Sequence, residues 1–144
     1  MNREEREAIL FAHMEGENVH DYEAVMATFS HPRYELIGNG AVFDGDAQVR
    51  QYFAVSRTPF PDQRNELIGL HHTDDGILTE FWLLGTHTGP LMVNGEVVAP
   101  TGKTFRVRMA ALFLFDDKGI IAERVWFDQL SILQQLGIKM AIAK

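Results

Sequence analysis

The chain has 144 residues, of which 46% are hydrophobic, and a net charge of −7 from 20 acidic against 13 basic residues. That length suits one domain spanning residues 1–144 with a sizeable core, and the acidic balance argues against a nucleic-acid or anionic-membrane partner, either of which needs a basic footprint. The chain has no cysteine, which removes disulfides, thiolate nucleophiles and cysteine-ligated metal from consideration.

The first stretch, M-N-R-E-E-R-E, is highly charged and carries no apolar signal region. No apolar run approaches the roughly 20 residues of a membrane-spanning helix, so a cytoplasmic protein is expected. Residues 3–15 read as a helix with Ala8, Ile9, Ala12 and His13 on one face, Leu10 and Met14 close by, and Gly16 as its end. Asn18 is the expected cap of a second helix carrying Val19, Tyr22, Val25, Met26 and Phe29, which stops before Pro32. Tyr34 to Ile37 reads as a strand, Gly38-Asn39-Gly40 as a turn, and Ala41 to Phe43 as the return. Asp44 is expected to open a third helix with Val49, Tyr52 and Phe53 inward, broken at Thr58 to Asp62.

The second half is β-rich. Arg64 to Thr73, Gly76 to Thr88, Thr104 to Phe115 and Ile120 to Phe127 are expected strands, and Asp116 to Gly119 is a hairpin turn. A further turn is expected at Val93 to Glu96, and Leu130 to Leu136 reads as a last helical segment ended by Gly137. Helices followed by a long antiparallel sheet make an α+β pattern, and a strongly curved sheet around the helices would leave a cavity.

Strand alternation sorts the candidate residues. Phe105, Val107, Met109, Ala111, Phe113 and Phe115 share one face of their strand, and Arg106, Arg108, Ala110, Leu112 and Leu114 the other. In the next strand Ile121, Glu123, Val125 and Phe127 oppose Ala122, Arg124, Trp126 and Asp128. Pairing about the 116–119 turn brings Arg106 and Arg108 to the Asp128 end. Asp128 also stands where an aspartate would cap the segment that begins at Gln129. Glu80, mid-strand among apolar neighbours, suits an ion pair with Arg106, Arg108 or Arg124, or a place in a pocket. Tyr22, Tyr34, Trp82 and Trp126 read as core or as cavity lining. His71 and His72 point to opposite faces, so the sequence offers no metal site there. His31, beside Pro32, reads as a turn residue. No G-x-S-x-G, phosphate loop or dinucleotide fingerprint occurs.

The segment G-T-H-T-G at Gly85 to Gly89, P-T-G-K at Pro100 to Lys103, E-R-V-W-F-D at Glu123 to Asp128 and Q-Q-L-G at Gln134 to Gly137 together resemble the SnoaL-like polyketide cyclases. The resemblance implies the cone-shaped α+β barrel shared with nuclear transport factor two, scytalone dehydratase and ketosteroid isomerase, with a deep apolar pocket and acid–base chemistry that needs neither metal nor coenzyme. It gives Asp128, the aspartate of the E-x-x-x-x-D pattern, the role of general acid/base. His87 and Arg108 or Arg124 would orient the substrate or stabilise enolate charge, with Glu80, Trp82, Trp126, Tyr22 and Tyr34 around a small hydrophobic carbonyl compound. The polar groups expected across the cavity of a cyclase give way to Ala110, Leu112 and Leu114 on the strand face running on from Arg108. The alternative is a non-catalytic ligand-binding or dimerisation module whose pocket is filled by its own Trp and Phe side chains. Under either reading a homodimer is expected through the face bearing Phe105, Val107, Phe113 and Phe127, since an apolar face needs cover.

Overall fold

The computed structural model describes residues 1–142. Helix α1 spans Arg3–Asn18. Its start is fixed by a capping box in which Asn2 and Glu5 each bind the other's backbone N–H. It runs through Gly16, past the expected stop, because the buried Gly16 lies against Val25, where a β-carbon would sit 2.9 Å from a side-chain methyl. Asn18 ends α1 instead of opening the next helix, and its side chain bridges to the backbone of Asn65. Asp21 is the cap of the short α2, Tyr22–Ala27. The buried face of α1 centres on Leu10, His13 and Met14, whereas Ala8 and Ala12 face solvent.

Strands β1 (Arg33–Leu36) and β2 (Ala41–Asp44) form a hairpin. Asp44 closes β2, so α3 starts two residues later than expected and spans Asp46–Arg57. Strands β3 (Arg64–His72), β4 (Gly76–Thr86), β7 (Thr104–Phe115) and β8 (Ile120–Trp126) follow the expected pattern within two residues. Around the turn at Asn94 and Gly95 lies a separate small hairpin, β5 (Leu91–Val93) with β6 (Glu96–Val98). Helix α4 spans Gln129–Gln135.

The main sheet has the order β2-β1-β8-β7-β4-β3, antiparallel except where β1 runs parallel to β8. Register irregularities at Leu67/Gly69 and Leu114/Phe115 bend the strands, as bulges do. The sheet curves around α1, α2 and α3. The β7 row Phe105, Val107, Met109, Ala111, Phe113 and Phe115 faces inward and is buried against Leu10, Met14, Val25, Val49 and Phe53. Each such side chain contributes roughly 1.5–3 kcal/mol by leaving water. The face expected to need a partner copy is therefore covered by the chain's own helices. No helix among the described residues is long and apolar enough to cross a membrane.

Candidate active site

The inner face of β8 carries Glu123 between Tyr34 of β1 and Phe113 of β7 in the sheet register. Helix α1 lays His13 over it. His13 Nε2 stands 3.1 Å from Glu123 Oε2 and 3.4 Å from Glu17 Oε1, one helical turn further along α1. The Tyr34 hydroxyl lies 3.2 Å from the same nitrogen. The ring packs edge-on against Phe29 and Phe113. From the end of α3, Arg57 NH2 donates to Glu17 at 3.0 Å and NH1 to Ser56 Oγ. The guanidinium sits 5.5–5.8 Å from the rings of Tyr22, Tyr52 and Phe53. Two cations and two carboxylates thus meet in the interior, each within reach of an opposite charge, as buried charges require.

The partners of His13 favour its charged form. The Thr28 hydroxyl donates to the carbonyl of Val25 at 2.6 Å, so its oxygen accepts from Nδ1–H of His13 at 2.8 Å. Nε2 faces carboxylate oxygens, which accept only from an N–H. With Glu17 ionised, both ring nitrogens donate and the ring is an imidazolium. Burial alone would depress its pKa, but the carboxylates of Glu17 and Glu123 outweigh burial and push it up to about 9. Glu123 goes the other way from a usual ion-paired acid. Burial, then the charge of Glu17, raise its proton affinity, and the hydrogen bond from His13 only partly offsets them. Burial would also raise Glu17, but His13 and Arg57 hold it below the usual carboxylate range. The two carboxylates are thus pushed apart, one toward binding a proton and one toward releasing it, the pattern that separates acid–base roles in a shared site. Tyr52, half-buried nearby, is pushed up to about 12, mainly by desolvation.

Glu123, Glu17, Tyr34, Tyr52 and Arg57 line a small cavity of about 60 Å³. Beyond Tyr52, Gln63, Leu83, Met109 and Val125, which belong to both, opens a chamber of about 320 Å³. Its remaining walls are mostly apolar, with Leu36, Phe43, Phe60, Phe105, Phe127 and Ile132 prominent. The chamber suits a hydrophobic body of a few rings, and the small cavity suits a polar group attached to it. His13, Glu17 and Glu123 also offer three donor atoms within 4.8 Å of one another, a set that could hold a cation. In this arrangement His13 and Arg57 already neutralise the two carboxylates.

The residues singled out in the sequence lie elsewhere, with one exception. Tyr34 is buried and lines the small cavity. Tyr22 stacks on Phe53 behind Arg57. Asp128 is exposed and caps α4, its carboxylate accepting from the Ser131 N–H at 3.0 Å. It does lie near Arg108, as the hairpin register required, but both border a surface groove on the outer face of the sheet. The cause is the alternation of β8, which puts Asp128 with Arg124 and Trp126 on the side away from the helices. Arg108 pairs with Glu80 at 3.1 Å and Arg124 with Glu35 at 2.6 Å, both on that outer side. Trp82 lies there too, under the guanidinium of Arg106 at 3.8 Å, and Trp126 is exposed, so neither tryptophan fills the cavity.

His87 is fully buried but serves its own loop. Its Nδ1 accepts from the Thr101 N–H, its backbone pairs with Lys103 and Gly102, and its ring meets Phe60. The adjoining Gly89 touches the carbonyl of Thr58, 1.9 Å from where a β-carbon would sit. The G-T-H-T-G segment thus staples loops together. Of Glu123, Glu17, His13 and Arg57, which form the buried site, the first three carried a signal in the sequence. Glu123 shares its strand face with Val125 and Phe127, and His13 and Glu17 sit four apart beside Leu10 and Met14.

A family model described as SnoaL-like polyketide cyclase matches residues 12–136. Solved structures of the same fold include TsrD from Streptomyces laurentii, 22% identical over 95% of this chain and 98% of that one with a TM-score of 0.77. IdmH from Streptomyces antibioticus, provisionally described as a polyketide cyclase, is 22% identical over 92% and 99%, with a TM-score of 0.75. AclR from Streptomyces galilaeus, provisionally described as a hydroxylase, is 17% identical over 99% and 91%, with a TM-score of 0.77. No curated protein matches the sequence. At these identities the structures establish the fold, and their differing descriptions leave the reaction to be argued from the site.

Proposed function

The chain belongs to the SnoaL-like polyketide cyclase family, and we propose that it is an acid–base enzyme, working without a cofactor, that isomerises, cyclises or dehydrates a hydrophobic cyclic or polyketide-like carbonyl compound. The observation that carries this reading is Glu123, a carboxylate of raised proton affinity held by a buried imidazolium on the wall of a small cavity that adjoins an apolar chamber. Desolvation makes a carboxylate a stronger base, which removal of a proton next to a carbonyl demands.

Glu123 takes the proton as the C–H bond breaks. The electron pair moves onto the carbonyl oxygen as an enolate. In an isomerisation the enolate collapses and Glu123 returns the proton to a different carbon. In a cyclisation the enolate carbon forms a bond to a second carbonyl carbon, and the new alkoxide takes the proton from Glu123. His13 stays protonated throughout and holds the Glu123 carboxylate in place. Its second N–H is tied to Thr28, so the ring has no freedom to turn.

The test uses 2-tetralone, an apolar bicyclic ketone, in deuterated buffer. Solvent deuterium incorporation next to the carbonyl is followed by NMR. The protein is expected to accelerate exchange over buffer, and Glu123→Gln is expected to lower the acceleration by about 10²–10⁴-fold. Exchange unchanged in Glu123→Gln would sink the assignment. Exchange lost in Asp128→Asn and kept in Glu123→Gln would return the base to the surface position.

A further inference from the structure

Arg57 has a donor to spare. NH1 and NH2 are committed to Ser56 and Glu17, but Nε–H is buried with no hydrogen-bond partner among the described residues. A buried charged donor left unsatisfied is costly, so Nε–H is available to a polar group that enters the cavity. The rings of Tyr22, Tyr52 and Phe53 lie 5.5–5.8 Å from the guanidinium carbon. Arg57 lines the same small cavity as Glu123, so a proton acceptor and a cation border a single space large enough for a small polar group.

The charge balance of that space points the same way. His13 and Arg57 are cationic, and Glu17 and Glu123 are anionic. When Glu123 takes a proton from a bound ketone, one negative charge moves from Glu123 to the substrate oxygen. No net charge is created in the site, but the new anion needs a donor, and Glu17 cannot supply one. Buried donors aimed at developing charge are the largest single contribution in many active sites.

We propose that Arg57 binds the substrate oxygen on which negative charge develops, so that the site takes enolisable ketones and binds their stable mimics, fused-ring phenols, in the ionised form. This rests on the acid–base reading above for the identity of the base, but not for the presence of the anion site. The donor is Nε–H in the first instance, with the neighbouring Tyr52 and Gln63 side chains on the wall shared with the chamber.

The experiment titrates the intact protein with 2-naphthol near neutral pH, where free naphthol is un-ionised and its anion has a distinct absorbance. Wild-type protein is expected to bind it with the naphtholate spectrum. Arg57→Lys keeps a cation beside Glu17 but removes the Nε–H donor at that place, and it is expected to weaken binding by about 10- to 100-fold, as a charge-assisted hydrogen bond would, and to return the spectrum to that of neutral naphthol. Glu123→Gln, which imitates protonated Glu123, is expected to keep naphtholate binding while losing exchange of 2-tetralone. The arms separate the two ideas. Naphtholate binding that depends on Arg57, without any ketone exchange, leaves the anion site standing and removes the enzyme reading. Ketone exchange that depends on Glu123, with naphthol bound equally by Arg57→Lys, removes the Arg57 assignment alone. Naphthol bound only in its neutral form by wild type, or not bound at millimolar concentration, overturns the proposal without reference to any variant.

Discussion

The two faces of the main sheet carry the same kind of contact and put it to different use. On the outer face Arg108 meets Glu80 at 3.1 Å, with side chains 57% and 44% exposed. On the inner face His13 meets Glu123 at the same 3.1 Å, with side chains 0% and 6% exposed. Distance is therefore not what distinguishes them. Water screens the outer pair and weakens its Coulomb attraction several-fold. Inside, each group must be matched, and any mismatch appears as a shifted proton affinity. The half-buried Glu35 stands between the extremes. Burial would raise it, yet hydrogen bonds from Arg124 and Arg33 outweigh burial and hold it below the usual range. Burial rather than charge content selects which face can do acid–base chemistry.

The sharpest way to break that contrast is to neutralise one carboxylate on each side. Glu123→Gln is expected to remove about 10²–10⁴-fold of 2-tetralone exchange, whereas Glu80→Gln is expected to leave the rate within twofold, the scatter of an exposed substitution of under about 0.5 kcal/mol. Equal losses in the two variants would mean that the outer face takes part in the reaction.

Next in size is the pH dependence of stability. His13 has a folded-state pKa raised from 6.5 to about 9. Its protonation therefore stabilises the fold fully below pH 6.5, and that contribution is lost as pH rises from 6.5 through about 9. Glu123, also raised, acts in the same direction, since ionising it costs the folded state. The free energy of urea unfolding is expected to fall between pH 6 and 9.5, by up to about 3 kcal/mol for His13 alone. His13→Gln is expected to be less stable at pH 6, because it leaves Glu123 unpaired, and to show a much flatter slope. A wild-type profile flat across that window would contradict the imidazolium.

The strands were legible because their side chains alternate with period two. The β7 row from Phe105 to Phe115 reads directly as an inward face, and the 116–119 turn sets the β7–β8 register. The first helix boundary was not legible. Gly16 looks like a stop, yet the chain turns only at His20, which takes a left-handed φ of 58° before Asp21 caps α2. The site was harder still. His13 and Glu123 are 110 residues apart, and Arg57 and Glu17 are 40 apart. No local pattern reports which helix end crosses which strand. Asp128 drew attention because it ends a motif, but capping and catalysis both favour aspartate at a strand-to-helix junction. Only the side-chain direction separates the two, and the alternation of β8 already gave it: Glu123 belongs with Val125, and Asp128 with Arg124.

Asp128 supplies the third test. As a cap it satisfies a backbone N–H that the helix itself leaves open. Asp128→Ala is expected to cost about 1 kcal/mol of stability, and Asp128→Asn much less, because asparagine caps as well. Neither should change 2-tetralone exchange by more than about twofold, within the range of a surface substitution. A variant that keeps its stability but loses exchange would place Asp128 in the reaction and reopen the outer groove.

The smallest effect is the most direct measure of what the outer face contributes. A double-mutant cycle on Arg108 and Glu80 isolates their coupling, provided that each alanine removes the contact without making another. An exposed pair of this kind is expected to couple by about 0.2–1 kcal/mol, and less in 1 M salt, where the screening length falls to about 3 Å. Arg108 also lies 5.7 Å from the centre of the Trp82 ring, and Arg108→Ala removes that contact in both backgrounds, so it cancels in the cycle. A coupling well above that range, or one that salt leaves unchanged, would show that water does not reach this pair in solution. The outer face would then be covered, and the contrast between the two faces would be one of degree.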